Sequence, residues 1–240
     1  MLPLFIVENL PETGTIEIVG DEAKHAISAL RIKAGESISL TDGAGNRANA
    51  HVIQVGNKSL TVDISDFAVE AESQIRLTAL QALTKGDRAR ETVELLTEAG
   101  VDQIIPWSAA RSIGQWKDGA EGLDKWRMWA KESTKQSRRS RIPFVLPLVN
   151  SNQVVEQIKS HELSLMFHES AEHKLSEVLD GKSPKSLMII IGPEGGLTDQ
   201  ETSQFVSAGA HPVVMGKPVF RSAHAGAAAL SAIQASLRIW

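Results

Sequence analysis

At 240 residues, with 42% hydrophobic and 22% charged side chains, the chain has the composition of a folded protein with a sizeable core rather than of a disordered one. It has no cysteine, which removes disulfides, thiolate nucleophiles and cysteine-bound metal; its net charge of −4 argues against indiscriminate coating of nucleic acid. No basic stretch precedes a long apolar run at the start and no later run is long enough to span a bilayer, so a cytoplasmic location without membrane contact is expected.

In chain order, residues 15–19, 37–41, 48–55 and 59–64 read as short strands, with Asp42-Gly43-Ala44-Gly45-Asn46 and Gly56-Asn57 as turns. Strands this short and close predict a small barrel. A helical pattern over 21–32 interrupts them and ends near Gly35. Residues 67–73 turn polar and acidic, which predicts a linker between a domain at 1–70 and a second at 74–240. From there the rhythm changes: 75–82 predicts a strand, 87–99 a helix closed by Gly100, and 101–105 the next strand, together a βαβ unit. Apolar runs at 163–167, 187–191 and 212–215, separated by helical stretches, extend this to a covered, mostly parallel sheet. The second domain is α/β, and ligands of such sheets gather in the loops at the carboxyl ends of the strands.

The charge is uneven. Residues 125–141 hold seven basic side chains against the single acid Glu132, so this stretch carries +6 and the remainder −10. The strip either faces phosphates or is a solvated helix face, and Trp126 and Trp129 within it fit a buried helix side as well as a platform for bases.

Two loops have the makings of a ligand site. The run Ile189-Ile190-Ile191-Gly192-Pro193-Glu194-Gly195-Gly196 carries a buried strand into a glycine turn, and Thr198 with Glu201 forms a capping box that opens a helix. Three glycines in five residues let a ligand approach the backbone closely, and the helix start offers free N–H donors. The run is neither a Walker A loop nor a dinucleotide fingerprint. The second loop, Met215-Gly216-Lys217-Pro218-Val219-Phe220-Arg221, leads into an alanine-rich helix at 222–237 whose small residues admit close packing. A third segment, Gln136-Ser137-Arg138-Arg139-Ser140-Arg141-Ile142-Pro143, ends the basic helix. No His/Asp/Glu cluster has metal-ligand spacing, and no metal is expected.

Together these segments resemble the bacterial 16S ribosomal RNA uridine-N3 methyltransferases of the SPOUT superfamily, over nearly the whole chain. His25, Leu30-Arg31, Gly35-Glu36 and Asp42-Gly43 look like that family's PUA-like RNA-binding barrel. Lys85-Gly86-Asp87, Glu98-Ala99-Gly100-Val101, Ile105-Pro106 and Arg111 look like its first βαβ unit, 136–143 like its glutamine–serine–arginine segment, and 192–196 reproduces its GPEGG signature. One departure stands out: a Glu-Thr pair usual in the family is Ala223-His224 here, which puts any role of those side chains in doubt.

The resemblance implies an α/β fold with a trefoil-knotted SPOUT methyltransferase domain built on a parallel sheet, preceded by the small PUA-like β-barrel, and acting as a homodimer. It implies S-adenosylmethionine as cofactor, held by Ile191, Gly192, Pro193, Gly195, Gly196, Met215, Gly216, Val219, Phe220 and Arg221. The substrate would be 16S ribosomal RNA of the small ribosomal subunit, contacted by Arg31, Lys131, Lys135, Gln136 and Arg141. Uridine N3 carries a proton at neutral pH; Arg138 or Arg139 is expected to stabilise the anion left on the base, with Glu194 or a water taking the proton. The competing readings are a SPOUT ribose 2′-O-methyltransferase and an RNA-binding assembly factor whose methyl-transfer site has decayed.

Overall fold

The computed structural model describes residues 2–240, so Met1 of the expected 1–70 domain lies outside the described residues. Two units are present. The first ends at Glu72 and also includes Thr134–Ile142; the second comprises Ser73–Ser133 and Pro143–Trp240. Among the described residues no helix is long and apolar enough to cross a membrane.

The first unit is a five-stranded sheet in the order β1 (Leu4–Ile6), β3 (Ser37–Thr41), β4 (Asn46–Val55), β5 (Leu60–Val69), β2 (Gly14–Ile18). Only β1 and β3 run parallel. Phe5, Ile38, Leu40, Ala50, Leu60 and Val62 fill its core, each fully buried, and each such side chain larger than alanine stabilises by about 1.5–3 kcal/mol. The expected linker is shorter than read: Phe67, Ala68 and Val69 continue β5, opposite Ala48, Arg47 and Asn46. A backbone ladder needs no apolar side chain, and the exposed Asp63 and Asp66 face solvent, so polarity misplaced the strand end. The helical pattern at 21–32 is shorter too. It forms α1 (Gly20–Lys24) and a π-helical turn over His25–Ala29, and Arg31 turns the chain out at φ 55°.

Residues Thr134–Ile142, which the sequence assigned to the 74–240 domain, pack with the first unit instead. The turn at 42–46 receives them. The Asp42 carboxylate accepts from the amides of Ala44 (2.7 Å) and Asn46 (3.2 Å), the Thr41 hydroxyl donates to the carbonyl of Ser140 (2.8 Å), and the Ile142 amide donates to Gly43 (2.9 Å). The Arg141 guanidinium donates to the carbonyls of Ala44 and Glu70; a Cβ on Gly45 would overlap it, which is why that turn position is glycine.

The second unit is a parallel sheet in the order β12 (His211–Val213), β10 (Leu163–Phe167), β11 (Ser186–Ile191), β6 (Arg76–Ala82), β7 (Gln103–Ser108), β8 (Phe144–Val145), with β9 (Val149–Asn150) also on β7. All six residues of β11 are buried because helices cover both faces. Leu187, Ile189 and Ile191 meet α2 (Arg88–Glu98) and α7 (Ser222–Ser236) through Leu96, Leu230 and Ile233; Met188 and Ile190 join Val154 of α4 (Ser151–Lys159) and Phe205 of α6 (Asp199–Ser207). A Cβ on Gly226 would lie 2.7 Å from Leu96, so glycine lets α7 close on α2. Strand β7 starts later than read and runs through Pro106. Proline is tolerated because the side of β7 where its missing N–H would point is bare there: β8 pairs only with Gln103 and Ile104, β9 only with Trp107 and Ser108. The remaining helices are α3 (Gly119–Ser137) and α5 (Leu175–Leu179).

Candidate functional site

The loops leaving β10, β11 and β12 enclose a cavity of about 620 Å³ at the carboxyl edge of the sheet, where a parallel sheet presents ligands. Ile191, Gly192, Pro193, Gly195 and Gly196 line one side; Met215, Gly216, Val219, Phe220 and Arg221 line the other. The structure therefore brings every cofactor-contact residue suggested by the resemblance around one space. Glu194 lines it as well, exposed, and its carboxylate makes no hydrogen bond or ion pair among the described residues.

Gly196 has φ +72°, a conformation glycine adopts without strain, and a Cβ there would meet no protein atom within 4 Å. Gly195 is constrained differently, since its Cβ would lie 3.1 Å from the Cβ of Arg111. Arg111 grips this loop: its Nη1 donates to the carbonyls of Leu197 (3.1 Å) and Gly195 (3.4 Å).

The capping box read at Thr198 and Glu201 is formed, and Glu201 does more than cap. Only 3% exposed, its carboxylate accepts from the Thr198 amide and hydroxyl (3.0 Å each), from the Ala110 amide (2.9 Å) and from the Ser151 hydroxyl (2.8 Å). Burial alone would push this carboxyl up, but the Ala110 and Thr198 amides and the Ser151 and Thr198 hydroxyls outweigh it and hold it below the ordinary glutamate range. An ionised carboxylate thus pins the Arg111 loop, the glycine loop and the start of α4 together.

A second tie holds the other side. The Ser222 hydroxyl donates to the Gly192 carbonyl (2.7 Å) and accepts from Nε2 of the buried Gln81 (3.1 Å). The lost Glu-Thr pair has no place on the cavity wall: Ala223 is buried, and His224 turns to Glu91 of α2, with Nε2 3.1 Å from its carboxylate.

Sequence reasoning missed Phe167, His168 and Glu169, which line the cavity at the end of β10, and gave no role to Gln81 or Ser222. The position of 168–169 directly after an apolar parallel strand was the available signal.

The expected RNA-contact and catalytic arginines are not among the residues that line this cavity. Lys131 and Gln136 are exposed on α3, and Arg31 is exposed in the first unit. Lys135 is engaged by Glu22 at 2.8 Å, the two side chains only 20% and 15% exposed, and Arg141 is bound to carbonyls of its own unit. Arg138 ends α3 at φ 59°, where glycine is usual, and its Nη1 is buried without a hydrogen-bond partner. Arg139 follows it, its amide donating to Thr134 (3.1 Å). No group of three or more His, Asp or Glu side chains among the described residues could hold a metal ion.

Residues 71–234 match a family described as an RNA methyltransferase domain, and residues 18–65 match an RNA methyltransferase PUA domain. A Mycobacterium bovis protein named ribosomal RNA small subunit methyltransferase E is 35% identical over 245 residues, covering 99% of this chain and 93% of that protein. A Bacillus subtilis protein of the same name is 26% identical, covering 94% and 92%. Among solved structures, the Neisseria gonorrhoeae methyltransferase E bound to S-adenosyl methionine superposes with TM-score 0.88 at 27% identity over 98% of each chain. A Legionella pneumophila methyltransferase with the same cofactor superposes with TM-score 0.84 at 27% identity, over 98% of this chain and 96% of that one.

Proposed function

We propose, since the chain belongs to the ribosomal RNA small subunit methyltransferase E family, that it transfers a methyl group from S-adenosylmethionine to N3 of one uridine in 16S ribosomal RNA. That it is an RNA methyltransferase using S-adenosylmethionine follows from the family and from its cofactor-bound relatives; the base and the atom are our reading.

The observation that carries the cofactor assignment is the cavity between the 191–197 and 213–222 segments. Apolar walls such as Phe167, Ile191 and Val213 suit a flat adenine, the glycine backbone suits close approach, and the Glu169 and Glu194 carboxylates suit a cationic ligand. When bound, the cofactor supplies an electrophilic methyl group on a positively charged sulfur.

The protein must deliver N3 with its lone pair free. Glu194, whose carboxylate has no partner among the described residues, accepts the N3 proton as the new carbon–nitrogen bond forms and the carbon–sulfur electrons return to sulfur. Arg138 or Arg139 offsets the negative charge that builds on the uracil oxygens. Cytoplasmic location and a homodimer belong to the same reading. Light scattering giving the mass of one chain would overturn the dimer.

The test is incubation of unmodified 16S ribosomal RNA with the protein and S-adenosylmethionine, then digestion to nucleosides and mass spectrometry. 3-Methyluridine is the expected product. A ribose-methylated nucleoside overturns N3 in favour of 2′-O transfer, and no product despite cofactor binding favours the decayed assembly factor.

A further inference from the structure

The net charge of −4 means that RNA must be held by a local patch, and α3 supplies little of one. Of the cations at 125–141, Lys125 pairs with Glu121 (2.5 Å), Lys135 with Glu22, Arg141 binds two carbonyls, and Arg127 reaches the Val145 carbonyl (3.4 Å). Besides Lys131, exposed on α3, exposed positive charge lies on two other loops of the second unit. Lys85 and Arg88 follow β6, and Arg111 and Lys117 follow β7. All four are exposed, and none is in an ion pair among the described residues.

These loops are neighbours. Strands β6 and β7 pair in parallel up to Ala82 and Trp107, so both loops leave the same edge, and a Cβ on Gly114 would overlap the carbonyl of Thr84. Strand β11, which feeds the glycine loop, is next to β6 on the other side, and Arg111 both lines the cavity and holds that loop. Of the acids near these loops, Asp118 accepts from the amides of Ala120 and Glu121, Glu91 faces His224, and Glu94 and Glu132 face Arg90, while Asp87, between Lys85 and Arg88, is exposed without a side-chain partner among the described residues and leaves the four cations in excess. Arg88 also opens α2, where the helix dipole disfavours a cation, so its place there does not serve the fold.

We infer that Lys85, Arg88 and Lys117, with the free side of Arg111, form a phosphate-binding rail that carries the RNA backbone next to the target uridine into the cavity. This rests on the proposed function, because it takes RNA as the substrate. Phosphate contacts by cations are independent of sequence and steeply salt-dependent.

The test measures binding of 16S ribosomal RNA against salt concentration for the wild type, for the triple variant Lys85→Ala/Arg88→Ala/Lys117→Ala, and for Lys159→Ala/Lys182→Ala/Lys185→Ala, which removes equal charge from the opposite edge of the sheet. The rail variant should lose about 2 from the slope of log affinity against log salt, at roughly 0.7 for each phosphate contact on a single strand. The control variant should keep the wild-type slope. S-adenosylmethionine affinity by calorimetry and the thermal midpoint should be unchanged in both, and Lys85→Arg/Lys117→Arg should keep the slope. A rail variant with the wild-type slope, or one matched by the control, overturns the rail. A wild type that binds and methylates no 16S ribosomal RNA overturns the proposed function itself.

Discussion

The hydroxyl of Ser222 donates to the carbonyl of Gly192 at 2.7 Å, joining the first residue of α7 to the first residue of the glycine loop. The bond can run only this way because the Gly192 carbonyl has no proton, and Gln81 Nε2 donates to the lone pair that Ser222 has left. Removing the hydroxyl takes the donor from the part-buried Gly192 carbonyl and one acceptor from the buried Gln81 amide, whose Nε2 keeps its bond to the Ala82 carbonyl. Ser222→Ala should weaken S-adenosylmethionine binding by about 1–2 kcal/mol, a factor of 5–30, measured by calorimetry, and Ser222→Thr should restore it. Unchanged affinity in the alanine variant would detach this tie from the cavity.

Glu201 makes acid stability a property of the site. Its folded pKa is depressed, so its contribution is fully present above the unfolded value of about 4.3 and is lost as pH falls through the lower, folded value. Glu201→Gln keeps the size but turns an amide N–H₂ toward donors, and should cost about 1–3 kcal/mol at pH 7 in urea unfolding. The gap between wild type and variant should narrow on acidification below about pH 4. A gap that stays constant with pH would mean that the carboxylate is not ionised in the folded state.

Two lysines of α3 should part company. Lys135 pairs with Glu22 where both side chains are mostly buried, whereas Lys131 is exposed without an ion pair among the described residues. Lys135→Ala should destabilise the chain by about 1–3 kcal/mol because it strands Glu22, one of whose oxygens already lacks a hydrogen bond. Lys131→Ala should stay within about 0.5 kcal/mol. Equal unfolding midpoints in denaturant would overturn the distinction.

Arg138 allows backbone and side chain to be separated. If its guanidinium stabilises charge that develops on the base, Arg138→Ala should lower the single-turnover methylation rate by about 2–4 kcal/mol of barrier with little change in cofactor affinity. Raising the pH should restore part of the rate, because more uridine is then already deprotonated. Arg138→Gly should lose the same rate yet gain about 1 kcal/mol of stability at its φ of 59°. A glycine variant that is more stable and equally fast would reduce Arg138 to the end of a helix.

What the sequence determined by itself was local. The glycine turn at 192–196, the capping box at Thr198 and Glu201 and the βα rhythm from residue 75 were legible because turn chemistry and periodicity are written within a few adjacent residues. Proline misled the reading of β7 and acidity that of β5, since both strand ends depend on which neighbour lies beside them. Only the tertiary structure decided that Glu201 also holds Ala110 and Ser151, and that Ser222 links Gln81 to Gly192 across 141 and 30 residues of chain. It alone decided which cations are free. The charges at 125–141 look alike in sequence, yet Lys135 and Arg141 meet internal partners while Lys85, Arg88 and Lys117 do not. A side chain's charge is a property of its residue type, but its availability depends on partners that the fold brings from far along the chain.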